Sequence, residues 1–287
     1  METFVEILKS IFIGIVQGIT EWLPVSSTGH MIIAKSVMDL KITPGCWDLF
    51  LVVSQLGSIL AVLILFFDKL NPWSKKKTPE MKNKTWKLWL YVLIAIVPTA
   101  ILGIIIDKVV LEKIVGNDQI KELLIIAIAL VVYGILFIVI ERVNKNKKYK
   151  YNSVYDIDVK TAIKIGCFQT LSVVPGTSRS GSTILGASTV GVSRTAAAEF
   201  SFFLAIPVML GASALEAFLF IKDGLTLTGT DIAFLIAGTV TSFLVSLAVI
   251  KLLMAFVKKH SFECFGWYRI AFGIFLIIYC IVKFNNI

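Results

Sequence analysis

The chain has 287 residues, of which 57% are hydrophobic and only 16% are charged, and its mean hydropathy is +0.85. This composition excludes a water-soluble domain, because soluble chains are nearer to half apolar and a quarter charged. The net charge of +9 does not indicate a nucleic-acid partner, because the lysines cluster in segments 69–87 and 142–160, between apolar runs. Basic loops between apolar runs are typical of the cytoplasmic face of a membrane protein.

The first apolar segment, residues 4–37, is interrupted by the polar stretch 21–30. At about 34 residues it is too short for two full membrane crossings and too polar in its middle for one. We therefore predict a re-entrant hairpin of two half-helices, with a turn that is buried in protein or lines a wet cavity. Three runs long enough to span a bilayer follow, at residues 49–67, 88–106 and 123–140.

The second half of the chain repeats this order. Residues 159–192 are interrupted by the polar stretch 172–183 and predict a second hairpin, followed by spans at 200–221, 232–253 and 267–282. An offset of 152 residues aligns the polar positions of the two hairpins, placing Gln17 on Gln169, Ser26 on Ser178, Ser27 on Arg179, Thr28 on Ser180, Gly29 on Gly181 and His30 on Ser182.

These patterns predict one all-α polytopic transmembrane domain, residues 1–287, with about six transmembrane helices and two re-entrant hairpins. Each repeat, approximately 1–143 and 156–287, combines a hairpin with three spans, so the second repeat is inverted relative to the first. Loop charge orients the chain with its basic loops inside and both termini outside. Inverted repeats with broken helices place their site near the midplane, where the two halves meet.

The first hairpin carries Gln17 and Glu21, which are four residues apart and share one helix face. A carboxylate at the membrane centre costs about 2.5–3.5 kcal/mol, so an intramembrane Glu is a functional candidate. The alternative is a carboxylate at the membrane interface beside Trp22 and Pro24, where it would snorkel or cap.

Hydroxyls and an imidazole follow directly, at Ser26, Ser27, Thr28 and His30. A hydroxyl attacks phosphorus only if a base accepts its proton, and His30 has a suitable pKa range for that role. The serines also suit helix N-capping after Pro24, which would leave backbone amides aimed at phosphate oxygens.

The second hairpin contributes a turn rich in Gly, Ser and Thr with one arginine, Arg179. Arginine binds phosphate through two hydrogen bonds and keeps its charge, and the start of a half-helix adds partial positive charge. The alternative is a serine-lined helix contact with Arg179 at the membrane interface. We expect a phosphate-like ligand and assign its binding to the small and hydroxyl residues of this turn, Gly176, Ser178, Ser180, Ser182 and Thr183.

Two motifs carry a family resemblance. Residues 17–21 resemble the (E/Q)xxxE motif of the undecaprenyl-diphosphatase family of the bacitracin-resistance type, and residues 175–183 match its PGxSRSxxT motif at every fixed position. Segments 22–30, 55–62 and 198–202 are also similar to it, so the resemblance covers nearly the whole chain.

The resemblance implies hydrolysis of undecaprenyl diphosphate to undecaprenyl phosphate and phosphate, which recycles the cell-wall carrier lipid and confers bacitracin resistance. It also implies a bacterial cytoplasmic membrane location, a site open to the outer face and dependence on a divalent cation, Mg²⁺ or Ca²⁺. The implied site residues are Glu21, Ser27, His30, Ser178, Arg179 and Thr183. Many members carry Glu where this chain has Gln17, so a second carboxylate ligand is absent here.

We therefore predict that Glu21, Ser27, His30 and Arg179 are catalytic and that Glu21 also holds the metal. Gln17, Ser26 and Thr28 join the residues of the second turn in binding substrate. Attack by Ser27 with help from His30 competes with direct attack by water, with Glu21 or His30 as its base.

The expected partners are an isoprenoid lipid diphosphate and membrane lipids, and a homodimer is one alternative for the assembly. A secondary transporter or flippase for a phosphate-bearing anion or lipid is the rival function, because inverted repeats with broken helices are common in transporters. The acid-phosphatase-like lipid phosphatases are rejected, because the chain has no KxxxxxxRP motif.

Overall fold

The computed structural model describes residues 2–107, 118–224 and 226–284. Within these ranges the protein is all-helical, with no strand element, which confirms the all-α part of the predicted fold class. The helices are α1 Glu2–Thr20, α2 Ser27–Ser36, α3 Cys46–Leu65, α4 Phe67–Leu70, α5 Pro79–Asp107, α6 Gln119–Asn144, α7 Val159–Thr170, α8 Arg179–Thr189, α9 Arg194–Lys222, α10 Gly229–Val257 and α11 Glu263–Phe284.

Seven of the described helices are long and apolar enough to cross a membrane, so the chain is a multi-pass membrane protein. Six of them, α3, α5, α6, α9, α10 and α11, correspond to the six predicted spans, and α3 ends at Leu65, two residues before the predicted end of the first. The seventh is α1, the first arm of the first predicted hairpin, whose 19 residues suffice by length. Its counterpart α7 has only 12 residues, about 18 Å of helix, and is too short to span.

Side-chain caps set where several of these helices begin. The carboxylate of Asp158 accepts a 2.7 Å hydrogen bond from the Thr161 amide at the start of α7. That bond, with a second from the Tyr151 hydroxyl, lowers the pKa of Asp158 to about 2, so the cap stays ionised near neutral pH. At the start of α10, Thr228 and Asp231 form a capping box.

Helices from the two halves of the chain pack against each other in a crossed pattern. The arm α1 lies along α10 and the arm α7 lies along α5, while α6 packs on α11 and α3 on α9. Small residues permit the close approach: Gly134 of α6 and Gly266 of α11 face each other, and a Cβ added to either would lie 2.7 Å from the other's carbonyl oxygen.

The loops divide between two ends of the bundle. At one end, Thr43 donates to Asp231 at 3.0 Å and Lys41 pairs with Glu2 at 3.2 Å, so the start of α1 and the loop after α2 lie together. At the other end, the loop before α7 and the turn after α8 meet through a backbone bridge between Tyr151 and Val192. The start of α1 therefore lies beside the loop after α2, and the loop before α7 lies beside the turn after α8.

The Gly134–Gly266 contact leads to a stability prediction. We expect Gly134→Ala to lower the free energy of unfolding by about 1–3 kcal/mol, because its Cβ would press on the α11 backbone. The matched control is Gly211→Ala in α9, where no described atom outside the nearby backbone of its own helix and its two chain neighbours lies within 4 Å of the added Cβ. Melting temperatures in detergent should fall only for Gly134→Ala, and equal values for the two variants would contradict this account.

Candidate active site

The polar stretches 21–30 and 172–183 form the first and second tips of the two helical hairpins, and they meet inside the bundle. The Ser180 hydroxyl lies 3.3 Å from the carbonyl oxygens of both Glu21 and Leu23, so the second tip donates to the first. Ser180 is 1% exposed and Glu21 is 5% exposed, so this contact is shielded from solvent.

Both tips have an unusual backbone conformation at the residue before the second half-helix. Ser26 and Ser178, with φ of 71° and 69°, are the only non-glycine residues of the described chain with positive φ. Such a sparsely populated conformation costs an L-residue about 1–3 kcal/mol. The two serines are also the positions that the 152-residue offset aligns, so the two tips share a backbone geometry as well as polar residues.

The second tip also requires a glycine. Gly176 has a φ of 91°, and a Cβ at this position would lie 2.6 Å from the backbone of Ile126 on α6. A side chain would therefore push this tip away from α6.

The predicted residues Glu21 and Arg179 form a buried ion pair between the two tips. Arg179 Nη2 lies 3.1 Å from Glu21 Oε1, and the Gln17 amide donates to the other carboxylate oxygen at 3.0 Å. Arg179 also donates through Nη1 to the carbonyl of Ser201 at 3.0 Å, and its guanidinium lies 5.8 Å from the Trp22 ring centre. Both side chains are at most 11% exposed, so their interaction is screened much less than a surface pair.

A cavity of about 190 Å³ opens beside this pair. It is lined by Glu21, Ser27, Thr28, Gln55, Ser172, Pro175, Gly176, Ser178, Arg179, Val208, Met209 and Ala212. Ser27 and Arg179 are the first residues of α2 and α8, so two helix N-termini reach the cavity wall. Both helix dipoles therefore favour an anion there.

The cavity leads toward the end of the bundle that holds the loop after α2. A smaller pocket of about 80 Å³ shares Ser27, Thr28 and Gln55 with it. A larger cleft of about 520 Å³ shares Thr28 with both and is also lined by Lys35 and Glu122. Residues of α2 thus line three neighbouring pockets, from the Glu21–Arg179 pair to this end.

Other predicted site residues lie outside the cavity lining. His30 is engaged at both ring nitrogens, Nδ1 with the Ser26 carbonyl at 2.7 Å and Nε2 with the Tyr268 hydroxyl at 2.6 Å. Its ring stacks on Phe272 with 4.2 Å between centroids. The structure therefore places His30 between the first tip and α11, and its predicted role as a base stays a prediction.

Two of the buried hydroxyls near the cavity, those of Ser182 and Thr183, bind other protein groups. Ser182 donates to the Tyr133 hydroxyl at 3.3 Å, and Thr183 lies 2.5 Å from the Ser201 hydroxyl. The Ser26 hydroxyl is buried and has no partner among the described residues. In this state these residues contribute to the packing of the tips, and their predicted contact with substrate stays a prediction.

The donor set of the cavity fits a hard cation that phosphate oxygens also bind. Glu21 offers a carboxylate, and Gln17, Gln55 and Ser27 offer neutral oxygens nearby, which are the ligands that Mg²⁺ and Ca²⁺ prefer. No cluster of three or more His, Cys, Asp or Glu side chains that could hold a metal occurs among the described residues. A cation here would therefore depend on Glu21 and on the ligand's own phosphates.

Sequence reasoning missed two residues at the site. Arg269 of α11 is fully buried and donates to carbonyl oxygens of both tips. In the sequence, Arg269 stands out as an arginine inside the otherwise apolar run 267–282. Gln55 lies in a segment that carried the family resemblance without a predicted role, and only the folded chain places it in the cavity lining.

Together these features define a polytopic membrane protein with an arginine-containing cavity between the tips of two interrupted helical hairpins. The family model described as "Bacitracin resistance protein BacA" matches residues 10–275, and the chain belongs to this family.

Curated relatives extend over almost the full length. The chain is 50% identical to undecaprenyl-diphosphatase 1 of Clostridioides difficile, covering 97% of this chain and 98% of the relative. It is 48% identical to the undecaprenyl-diphosphatase of Enterococcus faecalis, covering 96% and 97%. It is 47% identical to that of Limosilactobacillus fermentum, again covering 96% and 97%.

The buried ion pair leads to a prediction for stability. Arg179→Met should cost about 3–5 kcal/mol, because the Glu21 carboxylate would stay buried without its partner. Adding Glu21→Gln should recover part of that loss, because no unpaired charge would remain. The control is Lys84→Met, which breaks an exposed pair with Glu80 and should leave melting unchanged. Additive losses in the Glu21–Arg179 double variant would contradict the predicted coupling.

Proposed function

We propose that this protein hydrolyses undecaprenyl diphosphate to undecaprenyl phosphate and inorganic phosphate. The observation that carries the proposal is the Glu21–Arg179 pair at a cavity where two half-helices begin. The names of the full-length relatives favour a diphosphatase over the transporter alternative. Hydrolysis of this lipid would recycle the cell-wall carrier and confer resistance to bacitracin.

We further propose that the hairpins are re-entrant and belong to inverted repeats, in a bacterial cytoplasmic membrane. The crossed packing of α1 on α10 and of α7 on α5 supports this, because an inverted two-fold axis would exchange these two contacts. The matching backbone of Ser26 and Ser178 supports it as well. Loop charge favours an outward-facing site, since the path from the cavity leads away from the basic loops.

In the proposed complex the terminal phosphate enters the cavity and the isoprenoid chain extends toward the lipid. Arg179 turns part of its fork from Glu21 to the phosphate oxygens, and the backbone amides that begin α2 and α8 donate to the same anion. The backbone amides are oriented before substrate arrives, so they stabilise the charge that develops on the phosphoryl oxygens at little reorganisation cost.

Ser27 is the proposed nucleophile, because it begins α2 and lines the cavity that holds Glu21 and Arg179. Its Oγ forms a bond to the terminal phosphorus while the bond to the bridging oxygen breaks, and undecaprenyl phosphate leaves. Water then cleaves the phosphoserine and releases phosphate. Direct attack by water on the same phosphorus is the competing route, and it needs the same anion-binding groups.

Two side chains compete as the base. The Glu21 carboxylate lines the cavity beside Ser27, whereas the ring nitrogens of His30 are bound to Ser26 and Tyr268 outside it. This geometry favours Glu21 for accepting the proton, with His30 supporting the backbone just before Ser27. A function of His30 as base would require its ring to leave Tyr268.

We propose that a divalent cation, Mg²⁺ or Ca²⁺, binds at Glu21 with Gln17 as a neutral oxygen ligand. Such an ion supplies charge neutralisation and Lewis-acid polarisation at the phosphate oxygens. Gln17 already contacts one carboxylate oxygen of Glu21 and Arg179 contacts the other, so the ion would have to compete with these two side chains.

Replacing the nucleophile tests the two routes. If Ser27 attacks phosphorus, Ser27→Ala should lower phosphate release by more than about 1,000-fold, because the covalent route is lost. The matched control, Ser261→Ala, lies in the loop before α11 at the opposite end and should keep wild-type rates. Phosphate release from undecaprenyl diphosphate and capture of a phosphorylated Ser27 are the measurements. A Ser27→Ala enzyme within tenfold of wild type would indicate attack by water.

Metal dependence is testable with the same assay. Treatment with a chelator should abolish phosphate release, and added Mg²⁺ or Ca²⁺ should restore it. Gln17→Glu adds a second carboxylate beside Glu21 and should lower the cation concentration needed for half-maximal activity. Full activity in the chelator would refute the proposed cation, and an unchanged titration in Gln17→Glu would remove Gln17 from its ligands.

A further inference from the structure

Arg269, in the first turns of α11, is a buried charge that the proposed reaction does not use. It is 0% exposed, although it belongs to one of the candidate membrane-spanning helices. An ionised side chain in such a place is costly and marks a functional candidate. Among the described residues it forms no ion pair, which sets it apart from Arg179 and Arg194.

The guanidinium of Arg269 donates to backbone carbonyls of both hairpin tips. Nη1 donates to the Pro24 carbonyl at 3.0 Å, and Nη2 donates to those of Gly176 and Thr177 at 2.9 and 3.0 Å. Pro24 and Gly176 are equivalent positions under the 152-residue offset. Arg269, which lies outside both hairpins, thus donates to the carbonyl at the equivalent position of each tip.

Only arginine suits this arrangement. Its planar fork reaches acceptors on two different segments at once, whereas a lysine ammonium is a single point charge on a flexible stem. Behind the fork the guanidinium carbon lies 5.3 Å from the ring centre of Tyr133 on α6, which stabilises the cation from the other side. Without Arg269 the three carbonyls would lose this donor in a buried environment.

The bridged carbonyls lie just before the reacting groups. Pro24 precedes Ser27 by three residues, and Gly176 precedes Arg179 by three residues. A shift of either carbonyl therefore changes the distance between the nucleophile and the phosphate-binding arginine. We propose that Arg269 is a positioning residue that sets Ser27 and Arg179 at the separation needed for phosphoryl transfer, an inference that rests on the function proposed above.

The experiment compares Arg269→Lys and Arg269→Gln with wild type, well below each variant's melting temperature. Phosphate release from undecaprenyl diphosphate should show kcat lowered by at least tenfold in Arg269→Lys and 100-fold in Arg269→Gln, with KM within threefold. Misplaced reacting groups slow the chemical step, whereas contacts made equally to the ground state and the transition state are kept, so KM changes little. The controls are Arg142→Lys and Arg142→Gln, because Arg142 is exposed and pairs with Glu263 at the start of the same helix. Both should keep wild-type kcat.

A second measurement does not depend on activity. Amide hydrogen exchange should accelerate in peptides 21–30 and 174–183 together in both Arg269 variants, and it should stay unchanged in peptides from the loop 71–78. Exchange that rises in one tip alone, or a kcat that stays at wild type in correctly folded Arg269→Gln, would overturn the inference. If wild type itself releases no phosphate, the proposed function fails, and coupled exchange of the two tips still tests the bridge.

Discussion

Backbone that leaves the helical conformation inside a membrane protein must find its hydrogen-bond partners within the protein, because lipid supplies none. Both hairpin tips of this chain face that demand. Ser180 of the second tip donates to backbone carbonyl oxygens of the first tip, and Arg269 of α11 donates to backbone carbonyl oxygens of both tips. The site is therefore built from the groups that complete the backbone of two broken helices, and the two half-helix N-termini are directed at one cavity as a consequence.

The same tips hold the reactive charges in a mutually neutralised state. Glu21 binds Arg179 and Gln17, so neither charge is isolated in the buried space before substrate arrives. In the proposed complex, a phosphate that enters beside Arg179 would replace one anionic partner with another and would free part of the Glu21 carboxylate. The proposed mechanism thereby links anion binding to the release of a base through one ion pair, and a neutral ligand of the same size would neither bind Arg179 as an anion nor release Glu21.

The sequence predicted the fold class and much of the site, because apolar runs and interrupted runs are properties of single segments. Six spans lie where hydropathy placed them, and the offset aligned Ser26 with Ser178, the two serines for which the structure shows a positive φ. Contacts between distant segments could not be predicted from the sequence. Nothing local to His30 predicts that Tyr268, 238 residues away, occupies its ring nitrogen, or that Arg269 reaches both tips.

Ser27 and Arg179 occupy equivalent positions under the 152-residue offset, and each begins its half-helix. A symmetric pair of identical polypeptides would place the same side chain at both positions, so it could offer two hydroxyls or two guanidiniums at the cavity but never one of each. Joining the two hairpins in one chain removes that restriction. In the proposed mechanism, Ser27 attacks and Arg179 binds the anion, a difference that requires two hairpins of different sequence, here joined in one chain, and that makes the two halves complementary and no longer interchangeable.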